Sequence, residues 1–297
     1  MEQDGCDMPF GSTVPGCAVA LIGIDGAGKS TLAGALRDRL AARDEPAVLL
    51  SRRHYLKTRP EGFVGDTMAA LYGASLRTLY GFADVAGGGQ LGRSFPPPAG
   101  DLLAPEFERT LNDAAITGNS PHALMASMLC EVAGHLMFRR AVVEPAVAAG
   151  RTVVEDTHGI KMVVKQYLLA RSLLDPLDEA RVSLDAVLEL AMTLLQPPAQ
   201  TSLPVLVRVA PEVAYARRVA QHGRVGGMEH FGPTGRPAGR ESYLELQRDS
   251  QTVFEDIGKR WQCLDLDLSP SGEEDGVRAG VERILAAKDT LTKGPAS

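Results

Sequence analysis

The densest concentration of residues able to do chemistry is Gly23-Ile24-Asp25-Gly26-Ala27-Gly28-Lys29-Ser30-Thr31. In a loop of the pattern G-x-x-x-x-G-K-S, glycines free the backbone to turn its N–H groups onto a phosphate, aided by the positive end of the following helix. Lys29 supplies an ammonium group for the β- and γ-oxygens of a nucleoside triphosphate. Ser30 supplies a hydroxyl for Mg²⁺, and Thr31 is either a further phosphate contact or helix scaffold. The pattern predicts ATP and Mg²⁺ as cofactors, held by Asp25, Gly26, Ala27, Gly28, Lys29, Ser30 and Thr31.

Two further groups fit phosphoryl transfer. Glu155 and Asp156 close a short apolar run, where a carboxylate would hold a metal-bound water or orient an attacking hydroxyl. Alternation along a strand turns only one of them toward the site; Asp156 is the expected one and Glu155 the competitor. Arg217, Arg218, Arg224, Arg236 and Arg240 stand among glycines between positions 210 and 240, a composition suited to a mobile lid bringing guanidiniums over a transferring phosphoryl group. Lys29, Asp156, Arg218 and Arg224 are the expected catalytic set, and Ser30 with Asp156 the expected metal pair. The competing reading of the lid is a solvated loop whose charges serve solubility.

These residues need a scaffold. Ala18 to Ile24 is an apolar run ending in the glycine loop, as in a strand buried on both faces. Ser30 to Arg43 follows with Leu32, Ala35, Leu36 and Leu40 at helical spacing, ended by Asp44-Glu45-Pro46. Ala47–Leu50, Thr152–Glu155, Pro204–Val209 and Trp261–Leu266 are the remaining strand candidates, separated by helical or irregular sequence. Such alternation predicts an α/β fold with a five-stranded parallel sheet and helices on both faces, its ligands beyond the carboxyl ends of the strands. Residues 60–120, interrupted by Gly87-Gly88-Gly89 and Pro96-Pro97-Pro98, are expected to form an acceptor-side insertion. Residues 172–200 are expected to form a helical insertion, with Asp175 as N-cap, Pro176 at N1 and the helix running through Leu195. The expected organisation is one domain over 17–290 between flexible tails at 1–16 and 291–297.

Composition bounds the rest. The chain has 297 residues, 44% hydrophobic and 23% charged, enough for a large core; with aromatic residues at 5%, base-stacking platforms are disfavoured. A net charge of −6 without a polybasic tract argues against nucleic acid or an anionic membrane as partner. Cys6, Cys17, Cys130 and Cys263 have neither C-x-x-C spacing nor a nearby histidine pair, which fits reduced thiols. The first residues lack the basic start and apolar stretch of a signal peptide, so the cytoplasm is the expected compartment.

The loop, together with Glu144-Pro145-Ala146 leading into Glu155-Asp156-Thr157-His158, and Ala210 to Arg217, resembles the thymidylate kinase group of P-loop nucleoside monophosphate kinases. The resemblance implies a three-layer P-loop kinase fold and commonly a homodimer. It also implies Asp25 at an acceptor sugar hydroxyl and Arg217 packed on the donor adenine. Departures stand where the acceptor is read. Thr157 occupies the position of the arginine that grips the acceptor monophosphate, and His135 that of an arginine reaching thymine. Ser51-Arg52-Arg53 replaces Arg-Glu-Pro-Gly. Asp25, Arg52, His135 and Lys161 are therefore the expected acceptor contacts, Lys161 standing in for lost positive charge. His135 is equally a packed helix residue, with Glu131 and Arg139 on a polar stripe at i, i+4 spacing, and Met125, Met128 and Leu129 of that helix are expected in the core. The sequence thus points to an ATP-dependent phosphotransferase acting on a nucleotide, nucleoside or related small molecule other than dTMP. The alternatives are a dTMP kinase with rearranged contacts and a non-catalytic ATP-binding regulatory protein.

Overall fold

The computed structural model describes residues 16–45, 47–96, 102–269 and 273–293. In chain order β1 (Cys17–Ile22) leads into α1 (Lys29–Ala41) and β2 (Ala47–Leu50), followed by α2 (Arg52–Lys57), α3 (Phe63–Gly81), β3 (Asp84–Val85), α4 (Pro105–Asp113) and β4 (Ile116–Gly118). Then come α5 (Pro121–Phe138), α6 (Glu144–Ala148), β5 (Thr152–Glu155), α7 (Ile160–Leu173) and α8 (Ala180–Leu194). The last elements are β6 (Ser202–Arg208), α9 (Pro211–His222), α10 (Arg240–Arg260), β7 (Leu264–Asp267) and α11 (Glu273–Lys293).

Five strands form one parallel sheet in the order β2-β5-β1-β6-β7. Every side chain of β1 is buried, the pattern of a central strand covered on both faces, which leaves no polar alternation to select. Two groups of helices supply the cover: α1 packed with α11, and α5 packed with α7 and α8, α10 joining them through α7. Leu32, Leu36 and Leu40 of α1 and Ile284 and Leu285 of α11 lie in the resulting core.

Boundaries moved where local chemistry overrode pattern. Trp261, expected in the last strand, closes α10 instead; its indole Nε1 donates to Met192 O at 3.0 Å, anchoring the helix end to α8. The α8 helix starts at Ala180 rather than at Pro176, with Glu179 at the N-cap and no side-chain cap; the turn before it is closed by Asp178, whose Oδ1 accepts from the Ala180 amide at 2.8 Å. At the carboxyl end α11 continues to Lys293, so part of the expected tail is helical. Residues 1–15 and 294–297 of the expected tails, and Pro97 and Pro98, lie outside the described residues.

The 60–120 segment is a structured layer: α3 packs along α5, and β3 pairs antiparallel with β4. Between α5 and α6 the helix widens into a π turn at Arg139–Val143, immediately before Pro145, which has no N–H to return to an earlier carbonyl. Met128 is core as expected, whereas Leu129 is 46% exposed. Among the described residues no helix is long and apolar enough to cross a membrane.

Leu36, fully buried, and Leu177, 96% exposed, bracket the energetic range. Leu36→Ala is expected to lower unfolding free energy by about 2–5 kcal/mol. Leu177→Ala should stay within about 0.5 kcal/mol of the parent. Urea denaturation checks both; equal losses would contradict the core assignment.

Candidate active site

The glycine loop leaves β1 and threads between β6 and α9. Gly23 has φ 141°, and a Cβ there would lie 2.3 Å from Val207 O; Gly26 has φ 80°, and its Cβ would lie 2.5 Å from Ala214 O. Neither position has room for a side chain or a conformation that would suit one. The loop runs into the first turn of α1, whose leading amides lack intrahelical partners. Lys29, 6% exposed, folds back over it, Nζ donating to Gly23 O at 2.9 Å and Ile24 O at 2.6 Å. Burial, with repulsion from Lys161, brings its pKa down to about 7 despite Asp25 and Asp156.

Ser30 Oγ donates to Asp156 Oδ1 at 2.8 Å, so the tip of β5 meets the start of α1. Glu155 points to the other side of the strand, 1% exposed, with Arg139 Nη1 at 3.4 Å and His135 Nε2 at 3.7 Å. Burial raises its pKa, Arg139 only partly offsetting the effect. Asp156 is therefore the carboxylate beside the loop, as strand alternation requires.

Asp25 is 6% exposed and pairs with two ammonium groups, Lys161 and Lys165, the latter at 2.6 Å. Spacing of i, i+4 puts both lysines on one face of α7. Burial opposes the charged carboxylate, but Lys161, Lys165 and Lys29 together outweigh it and hold the group well below the usual carboxylate range. α10 fixes the same residue through its backbone: Tyr243 OH donates to Asp25 O at 2.8 Å, and Gln247 Oε1 accepts from Asp25 N at 3.1 Å. Gln247 Nε2 in turn donates to Glu229 O at 3.2 Å. Lys165 and Gln247 were absent from the sequence-based set. The lysine repeat after Asp156 was a usable signal for the first, while a lone glutamine mid-helix carried none for the second.

The arginines divide. Arg217 Nη1 donates to Ala27 O at 3.4 Å, and Arg217, Arg218 and Gln221 border a cavity of about 140 Å³ over the glycine loop. Arg218 also clasps Glu229, Nε donating to Oε2 at 3.0 Å. Arg224 stands apart: it is exposed and paired with Asp113 of α4. Arg236 pairs with Glu245 and Arg240 with Glu241. The expected loose lid is instead α9 followed by a packed segment in which Met228, Glu229, His230 and Phe231 are buried, so only two of its arginines reach the loop.

A second cavity of about 370 Å³ opens between α2, α3, α5 and α7, with Arg52, Tyr72, Tyr80, Glu131 and Lys161 in its wall. Arg52 donates to Glu131 O at 3.1 Å, pairs with the Glu131 carboxylate and lies over the Tyr72 ring at 5.5 Å. The polar stripe of α5 faces inward: Glu131, His135 and Arg139 are all buried, with His135 at the cavity wall but turned toward Glu155. Thr157 and Lys161 border both this cavity and the one over the glycine loop. A larger, mostly apolar cavity of about 470 Å³ between α1 and α11 offers only the Arg39–Glu282 pair and Arg278 as charged groups, and lacks a carboxylate beside the loop.

Asp25→Asn removes the buried anion that pairs with Lys161 and Lys165 and is expected to reduce stability at neutral pH by about 3–5 kcal/mol. A depressed carboxylate pKa stabilises the fold above the unfolded-state value and loses that contribution as pH falls through the native one. The gap between parent and variant should therefore narrow only at strongly acidic pH. Denaturation from neutral to acidic pH tests this, and a gap independent of pH would contradict it.

Neither a protein-family model nor a curated protein matches the sequence. Among solved structures the chain is similar to a thymidylate kinase from Candida albicans, an enzyme described as having broad substrate specificity. The match has 14% identity and a TM-score of 0.51, and covers 93% of this chain and 94% of that one. At that identity the likeness speaks to fold alone: a parallel five-stranded sheet wrapped by helices.

Proposed function

We propose that this protein is an ATP-dependent phosphotransferase that moves the γ-phosphoryl group to a nucleotide, nucleoside or related small acceptor other than dTMP. The observation that carries the reading is the junction of two cavities at Thr157 and Lys161, one over the glycine loop and one between α2, α3, α5 and α7. Donor and acceptor seated there would face each other across a single pair of side chains, and positioning is most of what phosphoryl transfer asks of a protein.

The residues fit the donor. The loop has no space for side chains at Gly23 and Gly26, α1 offers free amides, and Lys29 lies within it. Ser30 and Asp156, 2.8 Å apart, are the pair that would hold Mg²⁺, which supplies charge neutralisation for the phosphates. Arg217 and Arg218 stand at the rim as the guanidiniums able to face developing charge; Arg218 must first leave Glu229. Arg224, exposed on Asp113, is left out of the catalytic set.

Against dTMP stands Thr157, which has no charge to offer an acceptor phosphate. Lys161 borders the same two cavities as Thr157, and it is paired with Asp25. Arg52 is likewise committed to Glu131. The acceptor seat thus presents balanced pairs rather than free arginines, which favours an acceptor read by hydrogen bonds and apolar contact with Tyr72, Tyr80 and Leu79. Homodimerisation, implied by the family resemblance, belongs to the same proposal.

Lys29→Ala is expected to lower turnover on the order of 10³-fold in an ADP-release screen across nucleosides, nucleotides and sugar alcohols; parent-like turnover would overturn the reading. ATP binding should also take up protons. Lys29 titrates at about 7 without nucleotide, and a triphosphate raises that value, so uptake approaches one proton above neutrality and vanishes in acid. Calorimetry in buffers of different ionisation enthalpy measures it, with Lys29→Met losing the uptake.

A further inference from the structure

Behind Asp156, on the face of β5 turned away from the glycine loop, three donor-bearing side chains converge from separate elements. His135 comes from α5, Glu155 from the end of β5 and His158 from the turn before α7, and they are 2%, 1% and 0% exposed. One ligand-capable atom of each lies within 4.8 Å of the other two. His135 Nε2, Glu155 Oε2 and His158 Nε2 all lack a hydrogen-bond partner, although leaving a buried polar atom unpaired is destabilising.

The approach of the two rings is built into the backbone. Their centroids are 4.2 Å apart, and a Cβ at Gly159 would fall 2.6 Å from His135 Cγ, so a side chain there would push the imidazole out. Trp261 packs edge-on against His158 at 5.5 Å and Phe138 lies 6.1 Å from His135, an apolar surround of the kind that encloses structural metal ions. Burial holds both histidines well below their ordinary pKa, and therefore neutral with a lone pair to give.

We propose that His135, Glu155 and His158 form a binding site for a transition-metal dication, zinc being the best match to two imidazole nitrogens and one carboxylate oxygen. The site is separate from the Mg²⁺ pair proposed at Ser30 and Asp156. Arg139 Nη1, 3.4 Å from Glu155 Oε1, orients the carboxylate and leaves Oε2 for the metal, while its Nη2 donates to Ser202 Oγ at 3.2 Å. Arg139 carries positive charge toward the site, and the carboxylate stands between it and the cation. The Ile160 amide contacts His158 Nδ1 at 3.4 Å; coordination through Nε2 puts the ring proton on Nδ1, so this long contact is given up on loading. Both histidines border the acceptor-side cavity, from which a water completes a fourth position.

The test uses the full chain, stripped of metal and titrated with Zn²⁺ or Co²⁺. Support consists of about one Zn²⁺ per chain by elemental analysis, visible d–d absorption of four-coordinate Co²⁺, and a shift of the His158 ring nitrogens to the Nδ1–H tautomer by NMR. Affinity should fall by more than about 100-fold in the double variant His135→Gln, His158→Gln and be unchanged in Asp156→Asn. Absence of Co²⁺ absorption and of tight Zn²⁺ in the folded parent overturns the proposal without reference to any variant. Equal metal content in parent and double variant also overturns it, by placing the metal elsewhere.

Discussion

Three ammonium groups, Lys29, Lys161 and Lys165, are gathered around one loop, and a single buried carboxylate, that of Asp25, makes this possible. Like charges brought together out of water repel strongly, so a cluster of this sign needs an anion within it. Asp25 in turn is held by backbone bonds from Tyr243 and Gln247 of α10, so the charge balance of the loop is tied to a helix more than 200 positions away in sequence. Loop conformation, α7 orientation and α10 placement all meet at this residue.

How much of this was legible follows from how local each determinant is. The loop was readable because its glycines, lysine and serine are contiguous, and because a wholly buried strand shows as an unbroken apolar run. β5 and β6 were readable for the same reason, while the partly buried edge strands β2 and β7 were read in membership, β7 without its correct start. Trp261 reads as a strand residue by type, yet its indole finds Met192 O and ends a helix. Asp175-Pro176 has the look of a helix start by residue type, yet the turn at Asp178 intervenes and α8 begins at Ala180. Lys165 was within reach through the lysine repeat that follows Asp156, whereas Gln247 and Glu229 were not, being polar residues whose bonds to Asp25 and Arg218 exist only after folding.

The cavity between α2, α3, α5 and α7 lies where the sequence departs most from the family it resembles, and the geometry there is internally consistent. Thr157 brings no charge to the strand end, and the cations lining the cavity are paired off: Lys161 with Asp25, Arg52 with Glu131, Arg53 with Glu108. The buried stripe on α5 continues this pairing from Glu131 with Arg52 to Arg139 with Glu155 behind the strand. Such a wall is better suited to orienting a neutral or hydrogen-bonding group than to gripping a dianion.

Gln247 has both ends of its amide engaged, one on the loop at Asp25 and the other on the backbone of Glu229. A side chain so constrained behaves as a strut of fixed length between two stretches of main chain. The glycine turn and the segment around Glu229 are therefore braced as one body, so a change in the opening of the cavity over the turn falls to rotamer changes at its rim.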